Sequence, residues 1–342
     1  MDATVENSKP TRLDQVTLGY GGLLLGMALL TTWDQWAIWS TKEDYTFGYL
    51  VPFFCAYVFW DRWETLRPLL TTAPTNLGVP TPSWLLRTVE ILGLLALFIF
   101  SLGVAGRAIY GTGASPTLFI AFGLFGSALA FTFLSVKGPA DLAPSSAARW
   151  QAVHLMIFPA GVWLISGPFL YLVDNRIKVE LLTNVTEIVT GILRVSEQNV
   201  HLRGNTIVFP NGDAVGVADA CSGIRSLSAC IFAGAFLGAV FLEGSTFGRY
   251  VRRTGLIVFA AVTALLLNIG RNTFLAYYAM QHGSRALEKD FNGVEMHQPG
   301  FSFLGSVHDF AGNVAMFLAV VLLVACVPLL NRLGKSSSEP VA

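Results

Sequence analysis

Three groups of residues in this sequence combine reactive side chains with a spacing that could assemble a reaction centre. The first is Asp219-Ala-Cys-Ser-Gly-Ile-Arg225, at the head of a long apolar run. Asp219 suits a helix N-cap. Cys221, with Ser222 beside it, then falls at the start of the helix, where the positive end of the dipole favours a thiolate. Arg225 follows Cys221 by four positions and shares its helix face, adding a cation. Cys230 is nine positions on and, at about 100° per residue, points to the opposite side. It cannot be a resolving partner on the same helix.

The second group is Leu267-Asn-Ile-Gly-Arg-Asn-Thr-Phe-Leu275. Arg271 lies inside an apolar run, where a charge is costly unless it is paired or faces a cavity. Asn268, Arg271, Asn272 and Leu275 share one helical face, so this mostly polar stripe is expected to face the bundle interior. The third is Ser306-Val-His-Asp-Phe-Ala-Gly-Asn313. Ser306 and Asp309 resemble a capping box, which places His308 in the first turn of a helix, where the dipole disfavours imidazolium and leaves a neutral base. His154, His201, His282 and His297 read as packed or interfacial residues. A thiol, a base and a fixed cation at one depth are the parts of a nucleophilic acyl-transfer site. In it Cys221 attacks a carbonyl, His308 moves the proton and Arg271 stabilises the oxyanion or the thiolate.

The elements that must hold these residues are membrane helices. Hydrophobic residues make up 53% of the 342 and charged residues 13%, half the share usual in a soluble domain. Mean hydropathy is +0.57. That excludes a soluble enzyme and a disordered chain. The 22 basic residues balance 22 acidic ones, so no basic field points to nucleic acid. Runs long enough to cross a bilayer are expected over about 17–36, 47–60, 89–110, 116–136, 150–173, 220–242, 254–280 and 308–330. No small-residue cleavage site follows the first, which reads as a retained span. Cys55, Cys230 and Cys326 sit in apolar runs and read as small hydrophobes. The cysteine spacing fits neither a zinc site nor a disulfide framework, and no cofactor is implied.

With the N-terminus inside, twelve of the 22 basic residues fall on the cytoplasmic side and eight outside. The remaining two are Arg225 and Arg271, within spans. The positive-inside bias then sets both termini in the cytoplasm, with Cys221, Arg271 and His308 at the outer face. The insertion 174–219 holds an amphipathic helix over Ile177–Val195 at the interface. It continues as a hairpin in which Thr206–Phe209 and Ala214–Val217 flank Pro210-Asn-Gly-Asp213. The hairpin is either a small lid or a device that positions a substrate beside Cys221. The loop 281–307 is expected to be irregular and also outside. The expected fold is an all-α polytopic membrane protein, one integral domain over 1–342. It has about eight transmembrane helices and a small extracytoplasmic amphipathic helix plus β-hairpin.

Ala220-Cys-Ser-Gly-Ile-Arg-Ser226, Asn268-Ile-Gly-Arg271 and His308-Asp-Phe-Ala-Gly312, in this order, resemble the exosortase/archaeosortase family. Tyr45-Thr-Phe-Gly-Tyr-Leu-Val-Pro52, followed by Trp60-Asp-Arg62, is similar to the family's early tyrosine–serine–histidine–glycine segment, with Thr46 and Phe47 in place of the serine and histidine. The resemblance spans roughly 33–325. It implies a multi-pass cysteine transpeptidase of the cytoplasmic membrane, with Cys221, Arg271 and His308 catalytic and Arg225, Asn268, Ser222 and Asp309 supporting. Its implied partners are exported proteins ending in a short motif, an apolar span and a basic cluster, together with an acyl acceptor, often in the setting of exopolysaccharide export. A transporter, or an export scaffold, using Arg225 and Arg271 to bind an anion is the competing reading.

Overall fold

A computed structural model describes residues 13–71, 79–138, 144–167, 169–196, 198–216, 224–242 and 246–336. Among the described residues 80% are helical, and they include one small three-stranded sheet. It divides into two compact units, Met1–Leu172 and Val173–Ala342.

The first unit holds α1 (Gln15–Thr41), a 3-10 helix (Glu43–Leu50), α2 (Val51–Thr71), α3 (Ser83–Tyr110), α4 (Ala114–Ser135) and α5 (Ser146–Ser166). The α3–α4 pair is closely packed because small residues line the crossing. A Cβ on Gly123 would lie 2.6 Å from the Phe100 backbone, and one on Gly126 2.7 Å from Ala96 Cβ. Membrane helices associate through such surfaces. Several buried polar groups in this unit are paired across helices. Asp34, fully buried on α1, binds Nε of Arg107 on α3 at 2.7 Å, and the guanidinium lies over the Trp33 ring. Gln35 donates to the carbonyl of Trp163 and accepts from Ser166 Oγ, while Trp39 Nε1 donates to the carbonyl of Ser166. Pro159 has no N–H for the carbonyl of Leu155, and Arg62 Nη1 of α2 donates to that carbonyl instead.

The second unit holds α6 (Phe169–Val195, whose first turn lies in the first unit), β1 (His201–Arg203), β2 (Thr206–Val208), β3 (Ala214–Gly216), α7 (Ile224–Phe241), α8 (Thr246–His282), a 3-10 helix (Ser284–Glu288) and α9 (Val307–Ser336). Helices α7, α8 and α9 pack around Cys230, Leu256, Ala260, Ala264, Ala319 and Leu323. One end of the bundle is tied by arginines that donate to helix carbonyls. Arg253 donates to Gly238 and Ala239 at the end of α7, and Arg252 to Leu330 of α9. At the other end a second core joins Val185, Val189 and Leu193 of α6, Ile207 and Phe209 of the sheet, Leu275 and Ala279 of α8, and Val307 and Ala311 of α9. The hairpin is therefore part of the core that fixes the α8–α9 junction.

Among the described residues five helices are long and apolar enough to cross a membrane: Gln15–Thr41, Ser83–Tyr110, Ala114–Ser135, Gly248–His282 and Val307–Leu333. They coincide with the first, third, fourth, seventh and eighth expected spans. The sixth corresponds to the shorter apolar helix Arg225–Phe241. The second falls on α2, which continues to Thr71 through Asp61, Arg62, Glu64 and Arg67. The fifth is divided. Helix α5 ends at Ser166, Gly167 is extended (φ −86°, ψ 175°), as a residue before proline prefers, and α6 starts at Phe169. The expected amphipathic helix thus begins earlier than Ile177. The expected hairpin forms, with Thr206 opposite Gly216 and Val208 opposite Ala214, and a third strand, β1, pairs with its outer edge. Loop 281–307 is irregular as expected, apart from its 3-10 turn.

Candidate active site

The site lies where the first turn of α9 meets α8, about three turns before the end of α8. On α8, Asn268, Asn272 and Leu275 are buried and Arg271 is half-buried, so the polar stripe turns inward. Asn272 Nδ2 donates to the carbonyl of Asn268 one turn below. On α9, Ser306 caps the helix as its spacing implies. Its Oγ accepts from the Asp309 N–H at 3.1 Å and donates to Asp309 Oδ2 at 2.9 Å, and its carbonyl accepts from Phe310. This cap fixes the first turn and with it His308.

Arg271 and His308 meet directly: Nη2 of the guanidinium lies 3.0 Å from Nε2 of the imidazole. A guanidinium only donates, so Nε2 accepts and the ring proton sits on Nδ1, 3.8 Å from Asp309 Oδ1. The imidazole is thereby neutral, with its basic lone pair held by Arg271. The guanidinium lies against Gly312, one turn along α9, where a Cβ would be 3.6 Å from both Nε and Nη2. Among the described residues Nε of Arg271 is buried with no hydrogen-bond partner.

Two aspartates outside the three sequence groups hold the surrounding loops. Asp290 is buried, and its carboxylate accepts backbone N–H groups from Asn292, Val294 and Ser302. Burial pushes this carboxyl up, but the N–H donors outweigh it and hold it below the ordinary carboxylate range. Beside it the Lys289 carbonyl accepts from the Val307 N–H at 2.9 Å. The loop 290–306 is thus closed at its neck one residue before His308. Asp213, in the hairpin turn, accepts from the Ser284 N–H at 2.7 Å and from Ser284 Oγ at 2.8 Å. The backbone and hydroxyl bonds from Ser284 hold its carboxyl below the usual range. That contact ties the strand leading toward Cys221 to the segment following α8. Only the Asn-Gly-Asp turn signal marked Asp213, and nothing in the sequence pattern marked Asp290.

Of the residues expected at the site, Arg271, His308 and Asp309 come together, with Asn268 one turn deeper on α8. Arg225 stands exposed in the first turn of α7. Asp219, Cys221 and Ser222 lie outside the described residues. Cys55, Cys230 and Cys326 are free thiols; Cys230 is buried and Cys55 donates to the carbonyl of Pro159.

Searches of curated proteins and of solved structures return no match to this chain. The family model of the transmembrane exosortases matches residues 39–325, most of the chain and all three sequence groups. The chain therefore belongs to the exosortase family, membrane sorting transpeptidases that act on exported proteins bearing C-terminal sorting signals.

Proposed function

We propose that this protein cleaves the C-terminal sorting tails of exported proteins through a thioester on Cys221 and transfers the new carboxyl end to an acceptor nucleophile. One observation carries the reading. Arg271 and His308, marked by separate features of the sequence, are in hydrogen-bond contact across two antiparallel helices.

The reaction starts when a peptide carbonyl enters beside Arg271. The carbonyl oxygen draws the guanidinium, which releases Nε2 of His308. The freed nitrogen takes the Cys221 thiol proton as sulfur bonds to the carbonyl carbon, and the oxyanion forms against Arg271. Collapse breaks the C–N bond, and the leaving amine takes the proton from His308. The thioester is then attacked by an acceptor amine or hydroxyl, or by water, whose proton passes through His308 back to the thiol. Asp309 and Asn268 hold the first turn of α9 and the inner face of α8, and Arg225 adds positive potential at the head of α7. The site faces the extracytoplasmic side with both termini in the cytoplasm, in line with the distribution of Lys and Arg.

The test uses a reporter fused to a tail from a protein of the same genome that ends in a short motif, an apolar span and a basic cluster. Co-expression with the full chain converts it to a shorter product. Cys221→Ala and His308→Ala each leave it uncleaved at equal enzyme level in the membrane. Full processing by Cys221→Ala refutes the reading.

A further inference from the structure

A groove of about 310 Å³ runs between α8 and α9, and Arg271 forms part of its wall. The lining spans positions 266–274 of α8 and 310–318 of α9. At 1.5 Å per residue that is about 12 Å along the helices, beginning beside His308 and descending into the two spans. Its chemistry is uneven in two respects. The rims are large and exposed (Leu266, Phe274, Val314 and Leu318). On the α9 side the floor is small: Ala311 and Ala315, four apart, are more buried than the rims, and Gly270 interrupts the α8 rim between Leu266 and Phe274, where an added Cβ would meet nothing within 4 Å. Among the described residues the only charged one lining it is Arg271, whose buried Nε has no acceptor among them while Nη2 holds His308.

We propose that this groove docks the apolar membrane span of the substrate, one ridge of its helix lying along Gly270, Ala311 and Ala315, with the segment just above the span delivered to Arg271 and His308. The proposal rests on the transpeptidase reading of the site. An occupant that matches the groove has an apolar body about two helical turns deep along this wall and a hydrogen-bond acceptor at its upper end. A span headed by an extended peptide has both, because the carbonyls above the span are no longer used within a helix. The small floor decides between a helix and a lipid chain. Residues of this kind at four-residue spacing let a helix backbone approach closely, a surface that a mobile acyl chain does not require. Continuity with the Arg271–His308 pair decides the direction. Arg271 lines the groove and holds His308, so a docked span carries its scissile bond to that pair without leaving the membrane.

The experiment places a photo-crosslinking benzoylphenylalanine at Val314 of the full chain carrying Cys221→Ala. A control carries it at Phe98, an exposed α3 position in the other unit. Both are reconstituted in phosphatidylethanolamine–phosphatidylglycerol vesicles containing the tailed reporter and a phospholipid with a clickable acyl chain. The proposal expects crosslinks from position 314 to the reporter's span, absent from position 98. It also expects Gly270→Leu and Ala315→Leu, which fill the groove, to lower both that crosslink and reporter processing at least ten-fold at equal enzyme level. Crosslinks from 314 to phospholipid alone, with the reporter still processed by the Cys221 enzyme, overturn the docking site and leave the transpeptidase reading standing. A crosslink to the span with no processing by the Cys221 enzyme keeps the docking site and removes the enzymatic reading. Neither crosslink nor processing removes both.

Discussion

Arg271 holds the basic nitrogen of His308: Nη2 and Nε2 are 3.0 Å apart, and only the guanidinium can be the donor. A base whose lone pair is occupied cannot accept a thiol proton, so the resting site is closed to chemistry until something else claims the guanidinium. The carbonyl of a bound substrate is suited to that, since a developing oxyanion outcompetes a neutral imidazole for a cation. The expected consequence is a graded loss. Arg271→Lys keeps a cation but not the fork that exchanges partners, and should retain reduced processing. Arg271→Ala removes the oxyanion donor, a loss of about 10²–10³ in rate. Single-turnover processing of the tailed reporter measures both. Wild-type rates in Arg271→Ala would remove the residue from the reaction.

The loop that delivers His308 depends on one carboxylate. Asp290 accepts three backbone N–H groups, and its pKa lies below the unfolded value of about 3.9. A depressed native pKa contributes stability that is complete above the unfolded value and is lost as pH falls through the native one. Loop order is therefore expected to hold unchanged from neutral pH down to about pH 4 and to decline only below it. Asp290→Asn, which has one acceptor oxygen in place of two, should loosen the loop already at neutral pH. Hydrogen exchange at the Asn292, Val294 and Ser302 amides, corrected for intrinsic rates, reads this directly. Equal protection in Asp290→Asn at pH 7 would show that the carboxylate does not organise the loop.

The features legible in the sequence are those whose cause is local. Pro210-Asn-Gly-Asp213 predicts the β2–β3 turn, and Ser306 with Asp309 predicts the cap of α9, because a few adjacent residues satisfy each other there. Two further features have equally local causes. Gly204-Asn205 is a turn signal that announces β1, and Gly167-Pro168 is a breaker that divides the fifth expected span. Other features depend on distant partners. Arg62 reads as a marker of the cytoplasmic side, yet its guanidinium satisfies the Leu155 carbonyl left open by Pro159. The proline is visible in the sequence; the donor that answers it, on another helix, is not. Asp290 is the harder case, since its partners are backbone amides of an aperiodic loop and leave no side-chain pattern. The Arg271–His308 pair was foreseeable in kind, because a charge and an imidazole inside spans need partners, but its direct contact was set by the antiparallel register of α8 and α9.

Asp34 was legible by the same rule that flagged Arg271, as a charge inside an apolar run. It is fully buried and paired with Arg107 at 2.7 Å. Removing one partner of such a pair strands the other, at a cost of about 3–5 kcal/mol, whereas replacing both by apolar residues is often neutral. Asp34→Leu and Arg107→Met singly should each lower the unfolding temperature of the purified protein in detergent, and the double substitution should recover most of the loss. Additive losses would mean that the pair does not act as a unit.

Gly312 offers a steric test of the Arg271–His308 contact that touches neither side chain. A Cβ at this position would meet the guanidinium at 3.6 Å, an ordinary contact distance, so Gly312→Ala fits without displacement. It also replaces a helix-interior glycine, which favours the helix by about 1 kcal/mol. A longer side chain extends from a Cβ already in contact with the guanidinium and competes with it for space. Gly312→Leu is expected to displace the Arg271 guanidinium from Nε2 without removing any ionisable group. The expected series is near wild-type processing for Gly312→Ala and a loss of about 10²-fold or more for Gly312→Leu, the scale of a misplaced catalytic group. Both should reach the membrane at wild-type level. If Gly312→Leu processes the reporter as fast as Gly312→Ala, the position of the guanidinium over α9 is not what the reaction requires.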